Sequence, residues 1–142
     1  MRKLLVPVDG SPASGKALDH AIALARQYPP IAIHVVSVHE LPHDYGRSAA
    51  YFPAEKLAEM EEQHSREVLE PAVTLLKAAG VPHTVESAAG EVAHAIVDSA
   101  ARNQCDTIVM GTRGMGTIGS LVMGSVATKV VHLSGVPVLL VK

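Results

Sequence analysis

Apolar residues along the chain recur with two alternating periods. Leu4 to Val8 is a short branched run with Pro7 near its end, closed by the turn Asp9-Gly10-Ser11-Pro12, and it predicts a strand. Ser11 then reads as a helix N-cap, with Pro12 at the first helical position, where a missing amide proton costs nothing. Ala17, Leu18, Ala21, Ile22, Leu24 and Ala25 follow at helical spacing until Tyr28-Pro29-Pro30 ends the helix. Ile31 to Val38 is a second strand, apolar almost throughout, as expected for burial on both faces of a parallel sheet.

The stretch His39 to Pro53 shows no clear period and holds Tyr45, Tyr51 and Phe52, three of the four aromatic residues. Its length leaves three readings open, a lid, an oligomer contact or a disordered loop. Ala54 to Ala79 predicts a long helix with Leu57, Met60, His64, Val68, Ala72 and Leu75 on its inner face. Pro71 removes one backbone bond within it and is expected to kink it. Gly80 stops that helix, and a short strand, Thr84 to Ser87, comes next. Glu91 to Arg102 is a third helix, with Val92, Ala95, Ile96 and Ser99 facing inward. Thr107 to Met110 is a fourth strand, Gly111 to Gly119 a glycine-rich segment, Gly124 to Leu133 a final helix and Val138 to Val141 a last strand. Strands alternating with helices imply an α/β fold with a parallel, doubly wound sheet and right-handed crossovers. Ligands on such sheets sit beyond the carboxyl ends of the strands, where the strand order reverses.

Length and composition narrow the class. At 142 residues one domain, 1–142, is expected. The chain is 48% hydrophobic and 18% charged with mean hydropathy +0.23, too apolar for a disordered chain. No apolar run approaches the roughly 20 residues of a spanning helix, and the N-terminal stretch is too short for a signal peptide, so no membrane insertion and a cytoplasmic location are expected. A single cysteine, Cys105, excludes an intrachain disulfide and a cysteine-built zinc site, and reads as a small buried hydrophobe. A net charge of −2, no Trp and few aromatics argue against nucleic acid as a partner. Of the eight histidines, only His39 and His43 cluster locally, beside Asp44, so no metal site is expected. His34 reads as a satisfied interior residue, and His20, His64 and His94 as partly exposed ones.

The segment from Gly111 to Val126 carries the strongest chemical signal. It follows a strand and opens a helix, and its glycines let the backbone approach an anion near unpaired helix amides. The embedded Gly114-x-Gly116-x-x-Gly119 has the dinucleotide spacing, yet no Asp or Glu follows Asp106 to hold a ribose. A P-loop fails as well, because Ser125 follows Gly124 where Lys is required.

The spacing Gly111-x2-Gly114-x9-Gly124-Ser125, together with Val6-Pro7-Val8-Asp9-Gly10-Ser11 and Pro137-Val138-Leu139-Leu140-Val141, resembles the ATP-binding subgroup of the universal stress protein family over essentially the whole chain. The resemblance implies five parallel strands in the order 3-2-1-4-5, with about four helices covering both faces. It also implies that Asp9 and the backbone around Pro7, Val8 and Val38 hold adenine and ribose. Met110, Gly111, Arg113 and Gly114 would line the phosphate path, and Gly124, Ser125 and Val126 would close over the outer phosphates. ATP, with or without Mg²⁺, is the implied cofactor.

Physical chemistry leaves alternatives at three of these positions. Asp9 can serve a ribose hydroxyl or only an Asx turn. Ser125 can donate to phosphate or act as a plain N-cap. Arg113 offers a planar fork for phosphate or is solvated. The apolar last strand, Val138 to Val141, is expected at a sheet edge, where a bare strand is a pairing template. The resemblance implies a homodimer through that strand. The expected function is a nucleotide-dependent regulatory or sensor module in stress response. A slow ATPase or phosphotransferase and a nucleotide-free interaction module are the alternatives, efficient turnover being disfavoured by the missing Walker lysine.

Overall fold

The computed structural model describes residues 1–40, 53–112 and 123–142. Five strands, β1 (Lys3–Pro7), β2 (Ala32–His39), β3 (His83–Ala89), β4 (Thr107–Gly111) and β5 (Val138–Val141), alternate with helices α1 (Pro12–Gln27), α2 (Ala54–Ala79), α3 (Val92–Arg102) and α4 (Ser125–Leu133). The sheet runs β3-β2-β1-β4-β5, and every neighbouring pair is parallel. Strand order therefore reverses between β1 and β4, as the sequence and its resemblance imply.

Side-chain alternation along the central strands splits the core into two layers. Leu4, Val6, Ile33, Val35 and Val109 pack on α1 and α2 through Ala17, Leu18, Ala21, Leu69, Ala72 and Leu76. Leu5, Val36, Ile108 and Met110 pack on α3 and α4 through Ala93, Ile96, Ala100, Ala127 and Val130. Consecutive residues of β1 thus serve opposite layers, which is why its apolar run lacks polar interruptions. Cys105 is buried in the second layer, and burial raises its thiol pKa, with opposing and supporting charges from Lys3, Asp106 and Glu86.

Local signals place the helix ends. Ser11 caps α1, accepting from the Ser14 amide at 3.2 Å, with Pro12 opening the helix. Gly80 ends α2 in the left-handed region, φ 68°, and its amide reaches the last carbonyls of the helix. Helix α2 spans Pro71 as one element, with that residue on the exposed side.

The inner face of α2 departs from expectation. Leu57, Ser65, Leu69, Ala72 and Leu76 are buried, whereas Met60 and Leu75 are 52% and 46% exposed and His64 is exposed. The predicted stripe is rotated by about one position, with His64 taken in place of Ser65. Ser65 belongs to the true stripe because its hydroxyl is satisfied inside, accepting from Ser87 Oγ at 2.9 Å. Strand β3 is also longer than expected, because its backbone pairs with β2 from His83 to Ala89 although few of its side chains are buried.

An unforeseen polar cluster fastens that edge strand. His34, 3% exposed on β2, places Nε2 at 2.9 Å from Glu86 Oε2 and Nδ1 at 2.6 Å from Thr84 Oγ1. A carboxylate only accepts, so Nε2 is the protonated nitrogen facing it. Glu86 also accepts from Ser99, from Asn103 at 3.2 Å and from Arg102 at 2.6 Å, all presented by the C-terminal half of α3 and its cap. Burial pushes the Glu86 carboxyl up, but the bonds from Ser99, His34 and Arg102, together with the Arg102 charge, outweigh it and bring the pKa down to about 2. His34 is thus the satisfied interior histidine expected from its strand.

Candidate functional site

Beyond the carboxyl ends of β1, β2 and β4 lies a cavity of about 230 Å³. It is lined by Pro7, Val8, Asp9, Ser14, Val38, Val92, Ile96, Met110, Gly111, Gly124, Ser125, Val126 and Ala127. The location follows from the topology. Chains leaving β1 and β4 turn to opposite faces of the sheet, and the gap between them opens at the strand-order reversal.

Nine of the eleven residues singled out from the sequence meet around this one space. Pro7 ends β1 and Val8 extends its ladder, donating to the Val36 carbonyl at 2.9 Å. Val38 stands near the end of β2, and Met110 and Gly111 close β4. Gly124, Ser125 and Val126 form the cap and first turn of α4. Arg113 and Gly114, the remaining two, lie outside the described residues, as do most of the glycine-rich segment and of the stretch His39 to Pro53.

Asp9 adopts the Asx turn, its Oδ1 accepting from the Ser11 amide at 2.9 Å. Its own amide points to Ser14 Oγ at 3.4 Å, and that hydroxyl donates to the Ser11 carbonyl at 3.0 Å. The turn fixes the carboxylate at the cavity and leaves Oδ2 without a partner among the described residues. The local role and a ligand role are therefore compatible. Gly10 makes the turn possible with φ 82°, a conformation other residues rarely adopt.

Gly111 has a packing reason of its own. A Cβ built there would stand 2.8 Å from both the Cβ and the carbonyl oxygen of Ala13, so β4 passes tightly beneath the start of α1. At α4 the N-cap is Gly124 and Ser125 is the first helical residue, so Ser125 is not the plain N-cap. Gly124 has no side chain, and no side-chain cap bond is made at this helix start. Among the described residues no side chain caps the first turn, whose residues Gly124, Ser125 and Val126 line the cavity, a setting that favours an anion.

Ser14, Val92, Ile96 and Ala127 complete the wall without having been anticipated there. Val92 and Ile96 were legible as inward-facing residues of α3. What their spacing does not reveal is that the N-terminal half of α3 walls the cavity beyond the strand ends. The resulting surface is mostly apolar, with Asp9 at one side and the α4 amides at the other. That distribution suits a flat apolar ring, a hydroxyl-bearing linker and an anionic tail. Among the described residues no group of three or more His, Cys, Asp or Glu side chains is arranged to hold a metal.

A model of the universal stress protein family matches residues 1–142. The chain belongs to the universal stress protein family. Universal stress protein YxiE of Bacillus subtilis is 34% identical over 145 residues, covering 99% of this chain and 98% of that one. Universal stress protein MJ0531 of Methanocaldococcus jannaschii is 32% identical over 143 residues, covering 99% and 82%. Among solved structures, the universal stress protein from Archaeoglobus fulgidus in complex with dAMP superimposes with a TM-score of 0.70 at 26% identity, covering 100% of this chain and 98% of that one. The Archaeoglobus structure shares the α/β fold of this chain.

Proposed function

We propose that this universal stress protein binds an adenine nucleotide in the cavity, with ATP as the ligand, and works as a homodimeric, nucleotide-dependent regulatory module in stress response. The observation that carries the reading is the meeting of three complementary surfaces in one cavity: an apolar slot, the Asp9 carboxylate, whose Oδ2 has no partner among the described residues, and the start of α4, which no described side chain caps. The dAMP complex of the Archaeoglobus relative supports it from outside this chain.

In this reading the ring lies against Val38, Val92, Ile96 and Met110, and hydrogen-bonds to the strand-end backbone around Val8 and Val38. Asp9 accepts from a ribose hydroxyl and, being anionic, repels phosphate from its end of the cavity. The cavity is smaller than the roughly 300–1,000 Å³ of a whole drug-sized ligand site, so it encloses the nucleoside while the phosphates continue toward Gly124, Ser125 and Val126. Arg113 and Gly114 complete the phosphate path in this proposal. Mg²⁺, where it accompanies ATP, is held chiefly by the phosphates themselves.

The homodimer rests on β5. It is an edge strand with Val138 to Val141 only half-buried, and its outer backbone edge suits pairing with a second copy about a two-fold axis.

Calorimetric titration of the nucleotide-stripped protein with Mg-ATP, with NAD as comparator, tests the binding. Saturation near one ATP per chain and no response to NAD is expected. No binding of either ligand overturns the proposal and leaves the interaction-module reading in its place.

A further inference from the structure

Behind the cavity wall stands a charge pair that the base and sugar contacts do not use, Glu91 preceding the wall residue Val92 and Lys129 one helical turn beyond the wall residue Ser125. Glu91 caps α3, accepting from the His94 amide at 2.9 Å and contacting the His94 ring, while its Oε1 lies 3.3 Å from Lys129 Nζ on α4. The pair ties together the two helices whose first turns wall the cavity, through Val92 on one side and Ser125 and Val126 on the other. Lys129 follows Ser125 by four residues, so helical geometry sets both side chains on one face, about 5–6 Å apart at Cβ. Both are exposed.

Charge around the cavity makes this pair consequential. Among the described residues the wall contains one carboxylate, Asp9, and no Lys or Arg. The backbone and side-chain bonds from His94 outweigh burial and, aided by Lys129, hold the Glu91 carboxyl at about 2, so it is charged at neutral pH. A phosphate chain passing Ser125 therefore meets a fixed negative charge at Glu91 and a cation, Lys129, on the same face as Ser125.

We infer that Lys129 reads the length of the phosphate chain, leaving Glu91 to bind the outer phosphates of ATP and thereby favouring the triphosphate over the monophosphate; the inference rests on the nucleotide-binding reading above. Glu91 holds the ammonium in the free protein and competes with phosphate for it. AMP lacks the outer phosphates that would draw Lys129 away, so its binding leaves the pair intact.

The test is titration of ATP and AMP into the full chain and into three single variants, each first checked for an unchanged thermal melt. Lys129→Gln is expected to weaken ATP about tenfold, the cost of one charge-assisted contact, and to leave AMP within about twofold. Lys129→Arg keeps the cation and restores the preference for ATP. Glu91→Gln keeps an oxygen for the cap but removes the competing charge, so ATP binds more tightly while AMP does not. An ATP-to-AMP affinity ratio that Lys129→Gln leaves unchanged overturns the inference, even where both nucleotides bind. Failure of the unsubstituted chain to bind either nucleotide overturns the parent reading, and this one with it.

Discussion

Glu86 offers a stability experiment whose sign and size follow from the cluster around it. Its carboxyl titrates near 2 in the folded chain against an ordinary 4.5, and its side chain is 19% exposed. At about 1.4 kcal/mol per pH unit, that depression corresponds to about 3 kcal/mol in favour of the folded state. Because the folded pKa is the lower one, this contribution is fully present above pH 4.5 and is lost as pH falls through 2. The Arg102 part of it is screened, since that side chain is 52% exposed, so the bonds from buried Ser99 and His34 should dominate.

Glu86→Gln keeps the size and one acceptor but removes the charge. Urea unfolding at pH 7 should show a loss of about 3 kcal/mol, of the order expected for breaking a buried charged network. The difference between the two proteins should shrink steadily between pH 4.5 and 2. A difference below about 0.5 kcal/mol at pH 7, within the range of ordinary surface changes, would refute the account. So would a large difference that stays constant across the acid range, because it would belong to shape and not to charge.

Other substitutions probe the cavity and the edge. Gly111→Val should cost about 1–3 kcal/mol in chemical denaturation, since its Cβ alone meets Ala13 at 2.8 Å, and an unchanged midpoint would mean that α1 shifts freely. Gly124 has φ −61°, open to any residue, so Gly124→Val should fold normally yet abolish calorimetric ATP binding by placing a branched side chain at the phosphate approach. Unchanged affinity in a natively melting variant sinks the phosphate assignment. Leu140→Lys should weaken the proposed dimer, and light scattering that reports the same dimer mass for both proteins would remove β5 as the interface.

Legibility from the sequence tracked how local each signal was. The α1 cap at Ser11, the turn at Gly10 and the stop at Gly80 depend on a few adjacent residues, and each stands where the pattern put it. Central strands were plain because burial on both faces leaves continuous apolar runs. Strand β3 was undercounted because an edge strand is held by backbone pairing with β2, which leaves little trace in hydrophobicity. On α2 the error came from treating serine as surface, when Ser65 finds a hydroxyl partner on β3. The Glu86 cluster joins β2, β3 and α3 across separations of 13 to 52 residues, so no local window contains it. Pro7, Asp9 and Gly124 on the cavity wall were singled out through a spaced motif and its resemblance, whereas Val92 and Ile96 could be placed there only once the packing of α3 was known.

The two edges of the sheet differ in a way that bears on how many copies can join. On β3, Glu86 turns a charge inward and Thr84 and Ser87 are polar, a lining that discourages a further strand. On β5 the side chains are all aliphatic. A sheet adhesive along both borders would propagate into a ribbon, each added copy exposing a fresh border. With one border guarded, the proposed pairing through β5 would use up the adhesive border of the described sheet, and growth would halt after a single encounter. In that dimer the same carboxylate that pins an outer strand to its neighbour would also set a ceiling on assembly.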